Sequence, residues 1–362
     1  MSKVHNFSAG PSILNQEVIN QASKAVANFN NLNLSILEIS HRSKDFVAVM
    51  DNAVALVKEI LNVPEGYSVL FLQGGASTGF LKTILNFMNE NGTGAYLNTG
   101  AWSKKALKEA EKLGKLNVIA SSEDKNFNYI PKGYTLPSDV DYFHITTNNT
   151  IFGTQIKDIP TQDNTLLIAD MSSDIFSRKI NVSDYAMIYA GAQKNLGPAG
   201  TTLYIVKDDL LGKTDRTIPT MLDLRTHAAK GSMFNTPPVY PIYVSMLTLE
   251  WLKANGGIEW IEKVNQEKAD LIYNEIDSNP LFEGTAAKED RSNMNVTFVL
   301  TNEDIKEDFD ALWKTAGISG INGHRDVGGY RASIYNAMPI ESIQVLVNTM
   351  KQLANKYDLV NN

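Results

Sequence analysis

The stretch from Leu166 to Val206 constrains this chain most: an apolar run ending in a carboxylate, a second apolar run, a lysine in a loop of small residues, and a third run. Leu166-Leu167-Ile168-Ala169 is continuously apolar, as suits a strand covered on both faces in a parallel sheet, and Asp170 stands at its carboxyl end. Open α/β sheets bind their ligands at those ends. Ala186-Met187-Ile188-Tyr189 leads into Gly191-Ala192-Gln193-Lys194-Asn195-Leu196-Gly197-Pro198-Ala199-Gly200. That loop is too rich in Gly and Pro to be helical, and Thr201 to Val206 returns to strand. Lys194 is thus carried on a fixed turn.

A lysine among small residues beside a strand-end carboxylate is suited to Schiff-base chemistry once its ammonium is partly desolvated. Pyridoxal phosphate asks for this pair. Its aldehyde condenses with a lysine, and a carboxylate keeps its ring nitrogen protonated so that the ring withdraws electrons from a carbanion. Lys194 would then take the aldehyde and Asp170 the nitrogen. On spacing alone the same two residues also suit a turn former and a surface lysine, since many α/β proteins contain both.

Size and charge narrow the field. With 362 residues there is room for two domains and a large core. Forty acidic against 33 basic residues give a net charge of -7, which argues against general attraction to nucleic acid or an anionic membrane. The absence of cysteine excludes disulfides, thiolate metal sites and cysteine nucleophiles. Met1-Ser2-Lys3-Val4-His5-Asn6 has no signal-peptide apolar core and no apolar run is long enough for a bilayer, so a soluble cytoplasmic protein is expected.

Asn15 predicts a helix cap ahead of Val18, Ile19, Ala22, Val26 and Phe29. His41 and Arg42 stand side by side before a helix with Phe46, Val49, Met50, Ala53, Val54 and Val57 on one face, where a basic pair grips an anion or simply forms a solvated turn. Ser68 to Leu72 reads as a strand, and Gln73-Gly74-Gly75-Ala76-Ser77-Thr78-Gly79 turns into a helix. Free N–H groups there, with the Ser77 and Thr78 hydroxyls, would cradle a phosphate. The turn is neither a P-loop nor a dinucleotide fingerprint, so ATP and NAD lose their usual support. After the strand begun by Ala95, Trp102 is expected where loops gather at the sheet edge, either stacked on a flat ring or packed in the core. Asp141 to Thr146 reads as a strand with the polar outlet Thr147 to Gly153.

This alternation predicts an α/β fold around a mainly parallel sheet. Beyond Val206 come Met233-Phe234-Asn235-Thr236-Pro237-Pro238 and helices near 242–252 and 259–276. From Asn293 the pattern becomes α+β: a strand Val296 to Leu300, a helix capped near Thr301, a strand Arg331 to Ile334 and a last helix begun by Pro339. Gly320 to Arg331 forms a second basic, glycine-rich loop with His324 and Arg325. The expected division is a large domain over 16–258, a smaller α+β domain over 259–362, and an N-terminal segment, 1–15, near the site.

Five stretches together resemble one family: Asn6-Phe7-Ser8-Ala9-Gly10-Pro11, Ser40-His41-Arg42, Ala190 to Pro198, Met233 to Pro238, and Gly323-His324-Arg325 through Arg331 to Asn336. Over nearly its whole length the chain is similar to the phosphoserine aminotransferases, fold-type I pyridoxal phosphate enzymes of the class-V aminotransferase group. The resemblance implies that Lys194 carries the cofactor as a Schiff base, Asp170 pairs with the pyridine nitrogen, Trp102 stacks on the ring and Thr150 bonds its 3-oxygen. It implies further that Ala76, Ser77 and Gln193 hold the cofactor phosphate with Asn235 and Thr236, the last two from the other subunit of a homodimer. For substrate it implies Arg331 at the α-carboxylate, and Arg42, beside His41, with His324 and Arg325 at a distal anion, where arginine forks suit carboxylate and phosphate alike. The family pattern has an arginine in the glycine turn where this chain has Ser77, so one basic contact is missing.

The implied reaction exchanges an amino group between glutamate with 3-phosphohydroxypyruvate and 2-oxoglutarate with phosphoserine, in serine biosynthesis. Some members also act on 4-phosphohydroxythreonine in vitamin B6 synthesis. An aminotransferase of the same fold for small substrates, of the serine–pyruvate or alanine–glyoxylate type, would need no distal anion pocket, and His41, Arg42, His324 and Arg325 argue against it. A non-catalytic cofactor-binding regulator would need an added binding module, and none is visible.

Overall fold

The computed structural model describes residues 4–159, 165–325 and 327–357. Met1, Ser2 and Lys3 of the N-terminal segment, Asp326 of the second basic loop and 358–362 at the end of the smaller unit lie outside the described residues.

The chain opens with β1 (His5–Asn6) and α1 (Gln16–Ala27), whose first turn is capped where the Asn15 side chain accepts the Glu17 N–H. Ser43 does the same for α2 (Lys44–Ile60), which buries Phe46, Val49, Met50, Ala53, Leu56 and Val57 along one face. Then β2 (Tyr67–Leu72), α3 (Gly75–Phe87), β3 (Thr93–Asn98), α4 (Ala101–Glu111) and β4 (Lys115–Ser121) alternate. There follow β5 (Tyr142–Thr146), the short hairpin β6 (Asn148–Asn149) with β7 (Thr154–Gln155), then β8 (Leu167–Asp170), β9 (Met187–Gly191) and β10 (Thr202–Lys207). The remainder comprises α5 (Leu224–Ala228), α6 (Val239–Ala254), α7 (Gly257–Ser278), β11 (Phe282–Gly284) and β12 (Asn295–Leu300). It closes with α8 (Lys306–Thr315), β13 (Ile318–Ser319), β14 (Tyr330–Ser333) and α9 (Ile340–Lys356).

The main sheet runs β2-β10-β9-β8-β5-β3-β4 and is parallel except for β10, which is antiparallel to both neighbours. The lysine loop causes this exception: it reverses the chain between β9 and β10 without a crossover helix, and only an antiparallel pair permits that. One face of the sheet is packed by α1, α2 and α6 and the other by α3 and α4, through Phe80, Ile84, Phe87, Ala106 and Ala110. Both faces are therefore dry, which is why the strands read as continuous apolar runs.

One sequence expectation changes, and one strand has no counterpart in the sequence reading. Trp102 does not stand at a strand exit on the sheet edge. It is the second residue of α4, and β3 before it lies between β5 and β4. The helix starts early because Ser103 Oγ accepts the N–H groups of Thr99 and Gly100, both at 2.9 Å. The edge strand β4 carries Lys115, Asn117 and Val118 exposed, so it lacks the apolar signature of its neighbours.

The smaller sheet, β11-β12-β14, is covered by α7, α8 and α9 around Ile272, Phe298, Phe309, Ile343 and Met350. Phe7 belongs to this core, because β1 pairs in parallel with β13. Helix α7 serves both units: Ile261 lies in the larger core and Ala269, Ile272 and Ile276 in the smaller. We propose the division into 16–258 and 259–362, with residues 1–15 as a segment reaching the site, on the strength of these separate cores.

Candidate active site

At the carboxyl end of β8 Asp170 is 5% exposed. Its Oδ1 accepts two hydrogen bonds from one residue, the Ser172 N–H at 2.9 Å and the Ser172 hydroxyl at 2.6 Å. Burial raises the Asp170 pKa, while Lys194 and the Ser172 bonds pull it down. The hydroxyl of Ser172 also accepts the N–H of Gly191 at 3.0 Å, which ties the end of β8 to the last residue of β9.

Lys194 follows in the turns after β9, half-buried, and its Nζ donates to Thr150 Oγ1 at 2.7 Å. The same Nζ lies 5.2 Å from the centroid of the Trp102 indole. Burial lowers its pKa to about 8, against the attraction of Asp170 and with help from the Arg331 charge. A sizeable fraction of the amine is therefore neutral near physiological pH, as a nucleophile and proton carrier requires.

The N-terminal segment holds this loop from the other side. Ser12 N–H donates to the Gln193 carbonyl at 3.0 Å, and the Ser12 hydroxyl donates to the Lys194 carbonyl. A Cβ on Gly10 would stand 3.3 Å from Lys194 Cγ, so the absence of a side chain there lets the lysine stem pass. Tyr335, fully buried, donates its hydroxyl to the Ala9 carbonyl at 2.7 Å and accepts from Asn295. The turn that carries Tyr335 follows β14, whose Arg331 is half-buried with a buried Nε that has no partner. Burial lowers the Arg331 pKa, which marks a guanidinium short of a counter-charge.

At the start of α3, Gly74 adopts φ 110°, and a Cβ there would come within 2.2 Å of Thr78 Oγ1. The Thr78 hydroxyl donates back to the Gly74 carbonyl at 2.9 Å. Its proton is therefore spent inside the first turn, which corrects the expectation that it faces an anion. Ala76 is half-buried and Ser77 exposed at this helix start, and Gln193 is half-buried on the lysine turn. Asn235 keeps a buried Oδ1 without a donor, and the exposed Thr236 accepts Gln73 Nε2 on its carbonyl at 2.8 Å.

Of the residues singled out in the sequence, Lys194, Asp170, Thr150, Trp102 and Arg331 come together within one chain. His41 and Arg42 do not join them: they precede α2, and among the described residues no hydrogen bond or ion pair links either side chain to that group. The half-buried His324 and exposed Arg325 ride a loop closed by Gly323 N–H on the Gly329 carbonyl at 2.9 Å. That loop returns directly onto β14 and Arg331. Sequence reasoning missed Ser172, whose bonds reach back two residues to Asp170 and on to Gly191, and Ser12 and Tyr335, which act through hydrogen bonds across long stretches of chain. Only Ser172 carried a signal, its position two residues past the strand-end carboxylate.

The donor set suits pyridoxal phosphate. One Asp170 oxygen is saturated by Ser172 and the other has no hydrogen bond among the described residues, where the buried Trp102 Nε1 also lacks a partner, and Lys194 stands beside both Thr150 and the indole. Among the described residues no group of acidic or histidine side chains could hold a metal ion, and no helix is long and apolar enough to cross a membrane.

Residues 4–346 match the family model described as aminotransferase class-V. The chain belongs to the class-V aminotransferases, and its cofactor is pyridoxal phosphate. It is 62% identical to the phosphoserine aminotransferase of Flavobacterium johnsoniae, with 98% of this chain and 99% of that one covered. The crystal structure of the phosphoserine aminotransferase from Bacillus circulans subsp. alkalophilus superposes with a TM-score of 0.95 at 42% identity, over 98% and 99% of the two chains. The pyridoxal-phosphate-bound phosphoserine aminotransferase of Trichomonas vaginalis does so at 0.92 and 34%, over 96% and 100%. Within the class-V family the chain stands among the phosphoserine aminotransferases.

Proposed function

We propose that this aminotransferase moves the amino group between glutamate with 3-phosphohydroxypyruvate and 2-oxoglutarate with O-phosphoserine, in either direction, as a step of serine biosynthesis in the cytoplasm. The nearness of Asp170 and Arg331 to Lys194, close enough for both charges to act on its amine, carries this reading, since it joins an amine with a lowered pKa, a buried carboxylate and an under-neutralised guanidinium.

Pyridoxal phosphate, when bound, supplies an electrophilic aldehyde and a ring that draws electrons from the amino acid. Asp170, buried at the end of β8, would hold the proton of the ring nitrogen. Thr150 would bond its 3-oxygen, Trp102 would stack on its ring, and Ala76, Ser77 and Gln193 would hold its phosphate. Arg331 grips the α-carboxylate of the substrate in a bidentate fork, leaving the Cα–H toward Lys194. The neutral Nζ of Lys194 takes that proton and returns it at the other end of the transfer.

Arg42, His41, His324 and Arg325 serve the far end, where one substrate carries a phosphate and the other a carboxylate. His41 and Arg42, which stand apart from the pocket within the chain, together with Asn235 and Thr236, reach it from the second copy of a homodimer in this reading. The same distal pocket would take 4-phosphohydroxythreonine. Half-reactions of the holoenzyme with phosphoserine, glutamate, 4-phosphohydroxythreonine, serine and alanine test the proposal: phosphoserine and glutamate should react far faster than serine and alanine, and a preference for either small amino acid would overturn it.

A further inference from the structure

Ser172 stands outside the roles given so far, yet it makes three of the hydrogen bonds that frame the site. Its N–H and its hydroxyl both donate to Asp170 Oδ1, at 2.9 and 2.6 Å, and its Oγ accepts the Gly191 N–H at 3.0 Å. The residue is 4% exposed, so no solvent competes for these bonds.

The directions of the bonds are forced. A backbone N–H only donates, so toward Gly191 the Ser172 hydroxyl can only accept, and its single proton is left for the carboxylate. Asp170 Oδ1 then receives two donors and cannot itself carry a proton without displacing one of them. Any proton on this carboxyl must sit on the other oxygen, which has no hydrogen bond among the described residues. We propose that Ser172 is a positioning residue for the cofactor: it dedicates one Asp170 oxygen to the protein, so that the proton shared with the cofactor ring nitrogen stays on the other, and it locks that carboxylate in register with the lysine-bearing loop through Gly191.

The inference rests on the cofactor assignment, and its test separates the two. Pyridoxal phosphate affinity is measured by equilibrium dialysis against the full chain stripped of cofactor, in wild type, Ser172→Ala, Asp170→Asn and the double variant. Ser172→Ala should weaken binding roughly tenfold or more, the scale of one charge-assisted hydrogen bond. In the Asp170→Asn background the same change should cost less than about threefold, because Ser172 works through the carboxylate. Ser172→Thr, which keeps the hydroxyl, should restore most of the affinity. Equal losses in both backgrounds, or no loss in either, would overturn the role of Ser172. Failure of wild type to bind pyridoxal phosphate at all would instead overturn the cofactor assignment beneath it. Thermal melts of all five proteins identify any variant that fails to fold. If Ser172→Ala does not fold, the decision passes to Ser172→Thr paired with Ser172→Cys: affinity retained by the first and lost in the second supports the proposal, and equal affinity in the two overturns it.

Discussion

Lys194 Nζ donates to Thr150 Oγ1 at 2.7 Å, and among the described residues this is the one hydrogen bond that its ammonium makes beside the Trp102 indole. One neutral acceptor is poor compensation for a desolvated charge, which is the physical reason its pKa falls from 10.5 to about 8.

The first prediction follows from that value. In protein stripped of cofactor, acetylation of Lys194 followed by mass spectrometry should rise with pH through a midpoint near 8. Asp170 favours the ammonium and Arg331 disfavours it, so the midpoint should move down in Asp170→Asn and up in Arg331→Ala. Shifts in the same direction would show that neither charge faces the amine.

A second prediction concerns substrate choice. Removing one arginine from a phosphate costs about 1.5–3 kcal/mol, or roughly ten- to a hundredfold in the specificity constant. Arg325→Ala should lower kcat/KM for phosphoserine by that factor and for glutamate less, and leave the slow reaction of alanine nearly unchanged. Equal losses for phosphoserine and alanine would make the loop structural.

The third concerns the assembly. Lys194→Ala and a variant of the Asn235-Thr236 loop should each be inactive, and mixing them under conditions of subunit exchange should restore part of the activity through hybrid dimers. No recovery after proven exchange would place every functional group of a site within one chain.

The fourth is a matter of stability. Lys268, fully buried in α7, donates from Nζ to the carbonyls of Ile334 and Tyr335 at 2.9 and 2.7 Å and to that of Met338 at 3.3 Å. These carbonyls belong to the turn that holds Tyr335 against the N-terminal segment and Asn336 against Asn195. Lys268→Met keeps the volume and removes every donor, so urea unfolding should show a loss of about 2–4 kcal/mol. A loss under 1 kcal/mol would mean that water satisfies the turn.

Much of the architecture was legible because both faces of the sheet are dry: Leu167 to Ala169 and Met187 to Tyr189 had to be apolar without interruption. The half-exposed β4 was not, since a strand with one wet face and one free edge leaves a mixed pattern. Trp102 was placed in a loop because the cap formed by Ser103 accepts main-chain N–H groups and shows no periodicity. At the site, Lys194 and Asp170 announced themselves by chemistry, Trp102 by its flat ring, and Thr150 and Arg331 by resemblance, and the structure brings these five near one another. Tyr335 stayed hidden because its hydrogen bond to Ala9 joins positions more than 300 residues apart and leaves no local mark, and Ser172 because a serine two residues past a strand-end carboxylate equally suits an ordinary turn.

The pairing of β1 with β13 sets a schedule for synthesis. His5 and Asn6 find their partners Ile318 and Ser319 more than 300 residues later, and Phe7 enters a core built otherwise from residues beyond 268. At about 5–20 residues per second a ribosome needs tens of seconds to cover that distance. For all that time the first residues lack their β13 partners while the strands of the larger sheet are made behind them. The segment that clasps the lysine loop is thus made first and seated last, and a chain cut short before β13 would carry a finished sheet and an unfinished pocket.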